Sequence, residues 1–242
     1  VSFDPTPDVT IRRAVMAMHW DQLTFLHWPY PTEVIAATLP RGLDVDTFDG
    51  QAWVSLVPFA MRVTLPGLGT PRWPCRFPET NVRTYVRAAD GTRGIWFYSL
   101  DADRLSAVCA ARAAYGLPYM RADMTVTVRD RELGYDCRRQ RPHAPATSRV
   151  RVRIGDPIAA HALTDRDHFL SARWRLFSWW CGRVVSARAL HEPWPLHAAE
   201  LIEFDDSLVV ADGLPAPQGD PIVHYAPTVS VRVSRPSVLR VR

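Results

Sequence analysis

Residues 79–87 read Glu-Thr-Asn-Val-Arg-Thr-Tyr-Val-Arg. In an extended strand successive side chains point to opposite faces, so Glu79, Asn81, Arg83, Tyr85 and Arg87 share one side and Thr80, Val82, Thr84 and Val86 the other. An acid, an amide, a guanidinium and a phenol in a row make an ordinary solvated strand on an outer surface. Turned into the interior of a closed sheet, the same row is a ligand site. Burial would raise the pKa of Glu79 and a guanidinium beside it would lower it, so this carboxyl is a candidate acid or base, with Arg83 expected to act on it.

Other residues are weaker candidates. The Gly-Pro turn in Tyr115-Gly116-Leu117-Pro118-Tyr119-Met120-Arg121 stands between a helical and an extended pattern, a place from which Tyr119 or Arg121 can reach a ligand. His191-Glu192-Pro193-Trp194-Pro195 is stiffened by its prolines and suits either a pocket wall, with His191 and Trp194 facing inward, or a packing corner. His224, on a late extended segment, could face a cavity or be a hydrogen-bonded core residue. The eight histidines, at 19, 27, 143, 161, 168, 191, 197 and 224, form no metal-binding spacing, so no metal and no cofactor are expected. No Gly-x-Ser-x-Gly elbow, P-loop or dinucleotide fingerprint occurs. All 29 basic residues are arginine, and without a lysine no side-chain amine can form a Schiff base with a carbonyl substrate.

The elements that would position these groups are mostly strands. Residues 18–28 mix aromatic and β-favouring side chains before Pro29 and Pro31, after which a short helix is expected with Thr32 as N-cap. Further strands are predicted at 51–62, 81–88, 94–101, 124–129, 134–139 and 149–154, then at 197–204, 207–210 and 222–233. Helices are predicted at 102–115, ended by Gly116 and Pro118, and at 165–181. The close succession of strands with Gly, Asp and Pro between them favours an antiparallel meander decorated by helices, with residues 142–148 a short connector.

At 242 residues and 47% hydrophobic content the chain is expected to be one domain over residues 1–242. With no apolar run long enough to span a bilayer and no signal-peptide pattern at the start, a soluble, cytoplasmic protein with no membrane partner is expected. Cys75, Cys109, Cys137 and Cys181 are irregularly spaced and read as reduced, mostly buried thiols. The net charge of +4 comes from arginines dispersed among 25 acids, which argues against a nucleic-acid partner. The nine tryptophans leave room for an aromatic patch that could pair subunits as a homo-oligomer.

The segments Leu43-Asp44-Val45-Asp46-Thr47-Phe48-Asp49-Gly50-Gln51-Ala52-Trp53, Val57-Pro58-Phe59-Ala60-Met61, Glu79 to Val86, Gly116-Leu117-Pro118-Tyr119 and His191 to Leu196 together resemble the YqjF-like family of uncharacterised bacterial proteins, from about residue 18 to 235. That family is similar to the acetoacetate decarboxylase-like superfamily. The resemblance implies a closed, cone-shaped antiparallel β-barrel with a cavity, and it turns the Glu79 face inward. It also places Arg112 and the Gly116–Met120 segment near the decarboxylase stretch that carries two adjacent lysines, with Tyr119 and Met120 standing where those lysines would be. In the decarboxylase a neighbouring cationic group activates the nucleophilic lysine, and this chain has neither the nucleophile nor its activator.

The expected function is therefore a small-molecule enzyme acting by non-covalent acid/base chemistry (enolisation, hydration or dehydration, or cyclisation) on a carbonyl- or carboxylate-bearing metabolite. Glu79, Arg83 and Tyr119 are the expected catalytic groups. Asn81, Tyr85, Arg112, Arg121, His224, His191 and Trp194 are the expected binding groups. The alternative is a non-catalytic protein that binds or senses a ligand in the same cavity.

Overall fold

The computed structural model describes residues 6–64, 76–141 and 144–239. In chain order these form β1 (Met16–Tyr30), α1 (Thr32–Ala36), β2 (Leu43–Val45), β3 (Ala52–Thr64), β4 (Arg76–Ala88), β5 (Arg93–Ala102), α2 (Leu105–Tyr115), β6 (Tyr119–Arg129), β7 (Glu132–Arg139), β8 (Thr147–Pro157), α3 (Asp165–Ser171), β9 (Arg175–Trp180), β10 (Arg183–His191), β11 (His197–Asp206), α4 (Leu208–Ala211), β12 (Ile222–Val233) and β13 (Ser237–Val238). The mainly β architecture agrees with the alternation and turn chemistry of the sequence. No helix among the described residues is long and apolar enough to cross a membrane.

All the strands belong to one sheet, and two extra pairings, β4 with β5 and β10 with β12, close it on itself. One closure gives a ring of nine strands, β5-β6-β7-β8-β11-β12-β1-β3-β4. The other gives a smaller circuit in which β9 and β10 replace β6, β7, β8 and β11. The strands β1, β3, β4, β5 and β12 are common to both, so they form a wall with a compartment on each side. Pairing is antiparallel except where β5 meets β6 and β9 in parallel, which the meander pattern does not foresee. The parallel contacts arise because α2, and later the longer excursion through β6 to α3, return the chain to β5 in its own direction.

A strand inside such a wall has no solvated face. From Glu79 to Val86 every residue of β4 is buried, polar and apolar positions alike. Val82 joins the apolar cluster of the nine-strand ring, with Leu56, Leu133, Tyr135, Val150 and Val152, while Tyr85 joins the cluster of the smaller circuit, with Phe25, Val57, Phe59 and Leu100. Two irregularities keep the alternation matched to these compartments. Gln22 adopts φ 51° and the β1–β3 register slips by one between Asp21 and Leu26, so Met18 and Trp20 before it and Leu23 and Phe25 after it serve the same cluster. In β5 the register against β4 slips at Tyr98, which puts Ile95, Phe97 and Leu100 together beside the polar residues of β4.

Within the nine-strand ring Arg139 is fully enclosed. Its guanidinium donates to both carboxylate oxygens of Asp101 at 2.7 and 2.8 Å, to Asp212 at 2.8 Å and to the Ser99 hydroxyl at 2.8 Å. Satisfied in this way, a buried cation is tolerated where an unpaired one would be costly.

Several expectations are corrected. The helix predicted over 165–181 ends at Ser171, because Ala172 leaves helical geometry and the β-favouring run Arg175–Trp180 pairs with β10 and β5. The stretch 207–210 is the short helix α4 rather than a strand; Val209 N–H donates to Asp206, a cap that competes with sheet pairing. Thr32 does not cap α1, and its hydroxyl donates to the Gly50 carbonyl instead. Cys109 and Cys181 are exposed and only Cys137 of the described cysteines is buried; Cys75 and His143 lie outside the described residues.

Candidate functional site

A cavity of about 630 Å³ lies in the smaller circuit. Glu79, Asn81 and Arg83 line it from β4, Tyr119 from β6, His191 from β10 and Trp194 from the turn after it. The face of α2 that closes one side carries Ala107, Ala110, Ala111 and Ala114, so the alanine-rich helix offers methyl groups where larger residues would fill the space.

Glu79 sits opposite Phe59 of β3 and Ala102 of β5. Tyr119 begins β6 beside Leu100, and its hydroxyl donates to Glu79 Oε2 at 2.7 Å. Desolvation drives the Glu79 pKa up to about 8, with the hydrogen bonds from Tyr119 and Asn81 pulling down and the Asp101 carboxylate pushing up. The Tyr119 phenol is itself pushed well above its ordinary value, first by burial and then by the Glu79 carboxyl. The expected lowering of Glu79 by Arg83 does not operate as a neighbour effect. Four residue steps along the strand separate the two by about 13 Å, and burial dominates.

Arg83 is 6% exposed and makes no ion pair or hydrogen bond with any described residue. Its guanidinium lies over the rings of Phe25 at 5.3 Å and Tyr85 at 5.9 Å, and Nε is without a partner. Arg173, the other buried arginine of the cavity wall, pairs with Asp46 at 2.7 Å and is packed over Phe169. Asn81 Oδ1 and Trp20 Nε1 likewise lack partners among the described residues, so two donors and an acceptor at the cavity wall are left open. An orphaned buried polar group costs free energy, and a ligand that satisfies it recovers that cost.

The turn after β10 forms an aromatic corner. Trp194 stacks on Trp20 with ring centres 5.8 Å apart, anchored by Nε1 donating to the Ser171 carbonyl at 2.9 Å. His191 lies 4.8 Å from the Trp194 ring, its Nδ1 2.7 Å from the Glu192 carbonyl, and burial holds its pKa below the ordinary value.

The remaining sequence candidates stand elsewhere. Tyr85 belongs to the cluster of the smaller circuit but does not line the cavity, its hydroxyl donating to the Leu170 carbonyl at 2.7 Å and joined to Ser55 and His27. His224 is buried against Asp167, Nε2 to Oδ1 3.3 Å, and does not line the cavity. Arg112 is on α2 but turned from the cavity, donating to the Tyr119 carbonyl at 2.7 Å and so fixing the start of β6. Arg121 is exposed on β6. Met120 contacts the Arg112 guanidinium and is not part of the cavity wall. Sequence reasoning missed Trp20 and Arg173. Trp20 could have been found from the alternation Met16, Met18, Trp20; Arg173 was hidden by the wrong helix boundary, and its partner Asp46 is 127 residues away. Among the described residues no three His, Cys, Asp or Glu side chains gather as metal ligands.

The profile of an uncharacterized conserved protein family, domain of unknown function 2071, matches residues 17–230. Bacillus subtilis YqjF, an uncharacterized protein, is 35% identical over 214 residues, spanning 88% of this chain and 87% of YqjF. Among solved structures, an acetoacetate decarboxylase-like enzyme from Sphingomonas wittichii RW1 superposes with a TM-score of 0.66 at 13% identity, covering 98% of each chain. Acetoacetate decarboxylase from Legionella pneumophila gives 0.65 at 13% identity over 98% of this chain and 92% of its own. The enduracididine biosynthesis enzyme MppR complexed with pyruvate gives 0.62 at 14%, over 96% and 93%. The fold is acetoacetate decarboxylase-like.

Proposed function

The chain belongs to the DUF2071 family of uncharacterized conserved proteins, and on that premise we propose that it is a small-molecule enzyme working by acid/base chemistry on a carbonyl- or carboxylate-bearing compound held in the cavity. The observation that carries the reading is one cavity wall bearing both a buried carboxyl, Glu79, and a buried guanidinium, Arg83, that is unpaired among the described residues. Arg83 binds or polarises an oxygen of the substrate; with no carboxylate among the described residues paired to it, an anionic group gains a charge-assisted bond. Glu79, with its pKa near 8, carries a transferable proton at neutral pH and becomes a base when it is lost. Tyr119 holds the carboxyl in place through its hydroxyl, and Asn81 presents an open acceptor. Enolisation, hydration or dehydration of an oxo compound requires no more than these parts.

Lysine is absent from the sequence, so the Schiff-base route is closed to its side chains. A neighbour of this fold is complexed with pyruvate, which supports an oxo acid as the kind of head group the cavity takes. The test is proton NMR in D₂O with a panel of oxo acids and unsaturated carbonyl compounds, comparing the protein with Glu79→Gln. Deuterium uptake or product that disappears in the variant is expected. Line broadening of a ligand with no chemical change would make the protein a binder rather than an enzyme.

A further inference from the structure

We propose that the compound taken by this cavity carries an elongated apolar body, an alkyl chain of about eight to ten carbons along a wall of ~13 Å, rather than being a small polar oxo acid. The inference rests on the reading above for the head group and concerns what lies beyond it. Glu79, Asn81 and Arg83 face the cavity where β4 crosses the wall, and from there it continues along β3 past Phe59, Met61 and Val63, each in line on one face of the strand; Arg104, Ser106, Arg175 and Arg235 also line it, from other elements. Phe59 stands opposite Glu79, Met61 opposite Phe77, and Val63 opposite Met18 of β1. From the carboxyl outward, these pairs offer no hydrogen-bonding side chain. Between its Ser106 and Tyr115 ends, the helix that closes this side contributes alanine methyls, from Ala107 to Ala114.

A volume of about 630 Å³ is far more than a three- or four-carbon acid fills. Filling it with such a molecule would leave the apolar wall without contact, so the affinity would come from the head group alone. A chain bound head-inward places its carboxylate or carbonyl on Arg83, the only position in the cavity where a buried charge is unpaired among the described residues. The aliphatic body then lies against Phe59, Met61 and Val63.

The experiment is a titration of the purified protein with butanoate, hexanoate, octanoate and decanoate, followed by tryptophan fluorescence from Trp20 and Trp194 and by calorimetry. Because these acids are unreactive, binding is read independently of turnover. Affinity should rise about three- to fourfold per methylene, and Val63→Trp should lower the decanoate-to-butanoate affinity ratio at least about tenfold. Affinity that is flat with chain length, or absence of binding throughout the series, overturns the proposal; the series on the unmodified protein decides this even if the variant does not fold. The catalytic reading fails separately. Length-dependent binding with no turnover of the matching 3-oxo acids sinks the enzyme and leaves the apolar body. Turnover of acetoacetate with a kcat/KM that does not rise for 3-oxodecanoate keeps the enzyme and sinks the apolar body.

Discussion

Replacing Glu79 by Gln should make the protein more stable above neutral pH, by an amount that grows with pH. In the native state the carboxyl is 2% exposed and its pKa is raised from an ordinary 4.5 to about 8. Below 4.5 the acid is protonated in both the native and the unfolded chain, and the full native stability is present. As pH rises, the unfolded chain gives up its proton while the native state holds it, so stability falls until the native group ionises near 8. At ~1.36 kcal/mol per pH unit the loss reaches ~5 kcal/mol. Glutamine cannot ionise, and its carbonyl still accepts from Tyr119. For a domain of this size ~1 kcal/mol moves Tm by roughly 2–4 °C, so the variant should unfold ~10–20 °C higher at pH 8.5 and nearly level with the parent at pH 4.5. Calorimetric Tm of both proteins between pH 4.5 and 8.5 measures this, and the difference cancels every other titrating group. Parallel profiles would refute the assignment of a buried, neutral Glu79.

Arg83→Met should leave stability unchanged or raise it by about 1 kcal/mol, since a buried cation without a carboxylate partner is removed, while carboxylate binding measured by calorimetry is lost; a large fall in Tm would mean the guanidinium has a structural partner. Arg139→Met leaves Asp101 and Asp212 buried without their cation and should cost about 3–5 kcal/mol in denaturant unfolding, whereas a loss under ~1 kcal/mol would show the cluster to be solvated. Gly116→Ala puts a methyl carbon 2.5 Å from the Trp179 carbonyl oxygen at φ +62°, so backbone must move. It should cost more than ~1 kcal/mol and, through the α2–β6 turn, weaken ligand binding; an unperturbed Tm would contradict the close approach.

Much of this was legible in the sequence. The strand alternation of residues 79–85 identified the polar row, and Gly116 and Pro118 marked the end of α2. What alternation could not tell is that β4 is a shared wall buried on both faces, because that follows from two separate closures of the sheet. The boundary at Ser171 was obscured by a run of residues, Ser171 to Cys181, whose helical spacing competes with β-pairing decided by distant strands. Candidates chosen for chemical type alone divided by side-chain direction. Tyr119 and His191 point into the cavity, while Arg112 and His224 are used to hold backbone and a neighbouring acid. The Asp46–Arg173 pair has no local signal at all, and only the folded chain brings its members within 2.7 Å.

The most direct measurement of the proposed site is a carbon-13 NMR titration of the Glu79 carboxyl in protein labelled at glutamate, assigned by its disappearance in Glu79→Gln and repeated with octanoate bound. A midpoint near 8 is expected, moving higher when the anionic ligand occupies the cavity. A midpoint in the ordinary carboxylate range, or one that octanoate leaves in place, would contradict a neutral acid sharing a ligand cavity with Arg83.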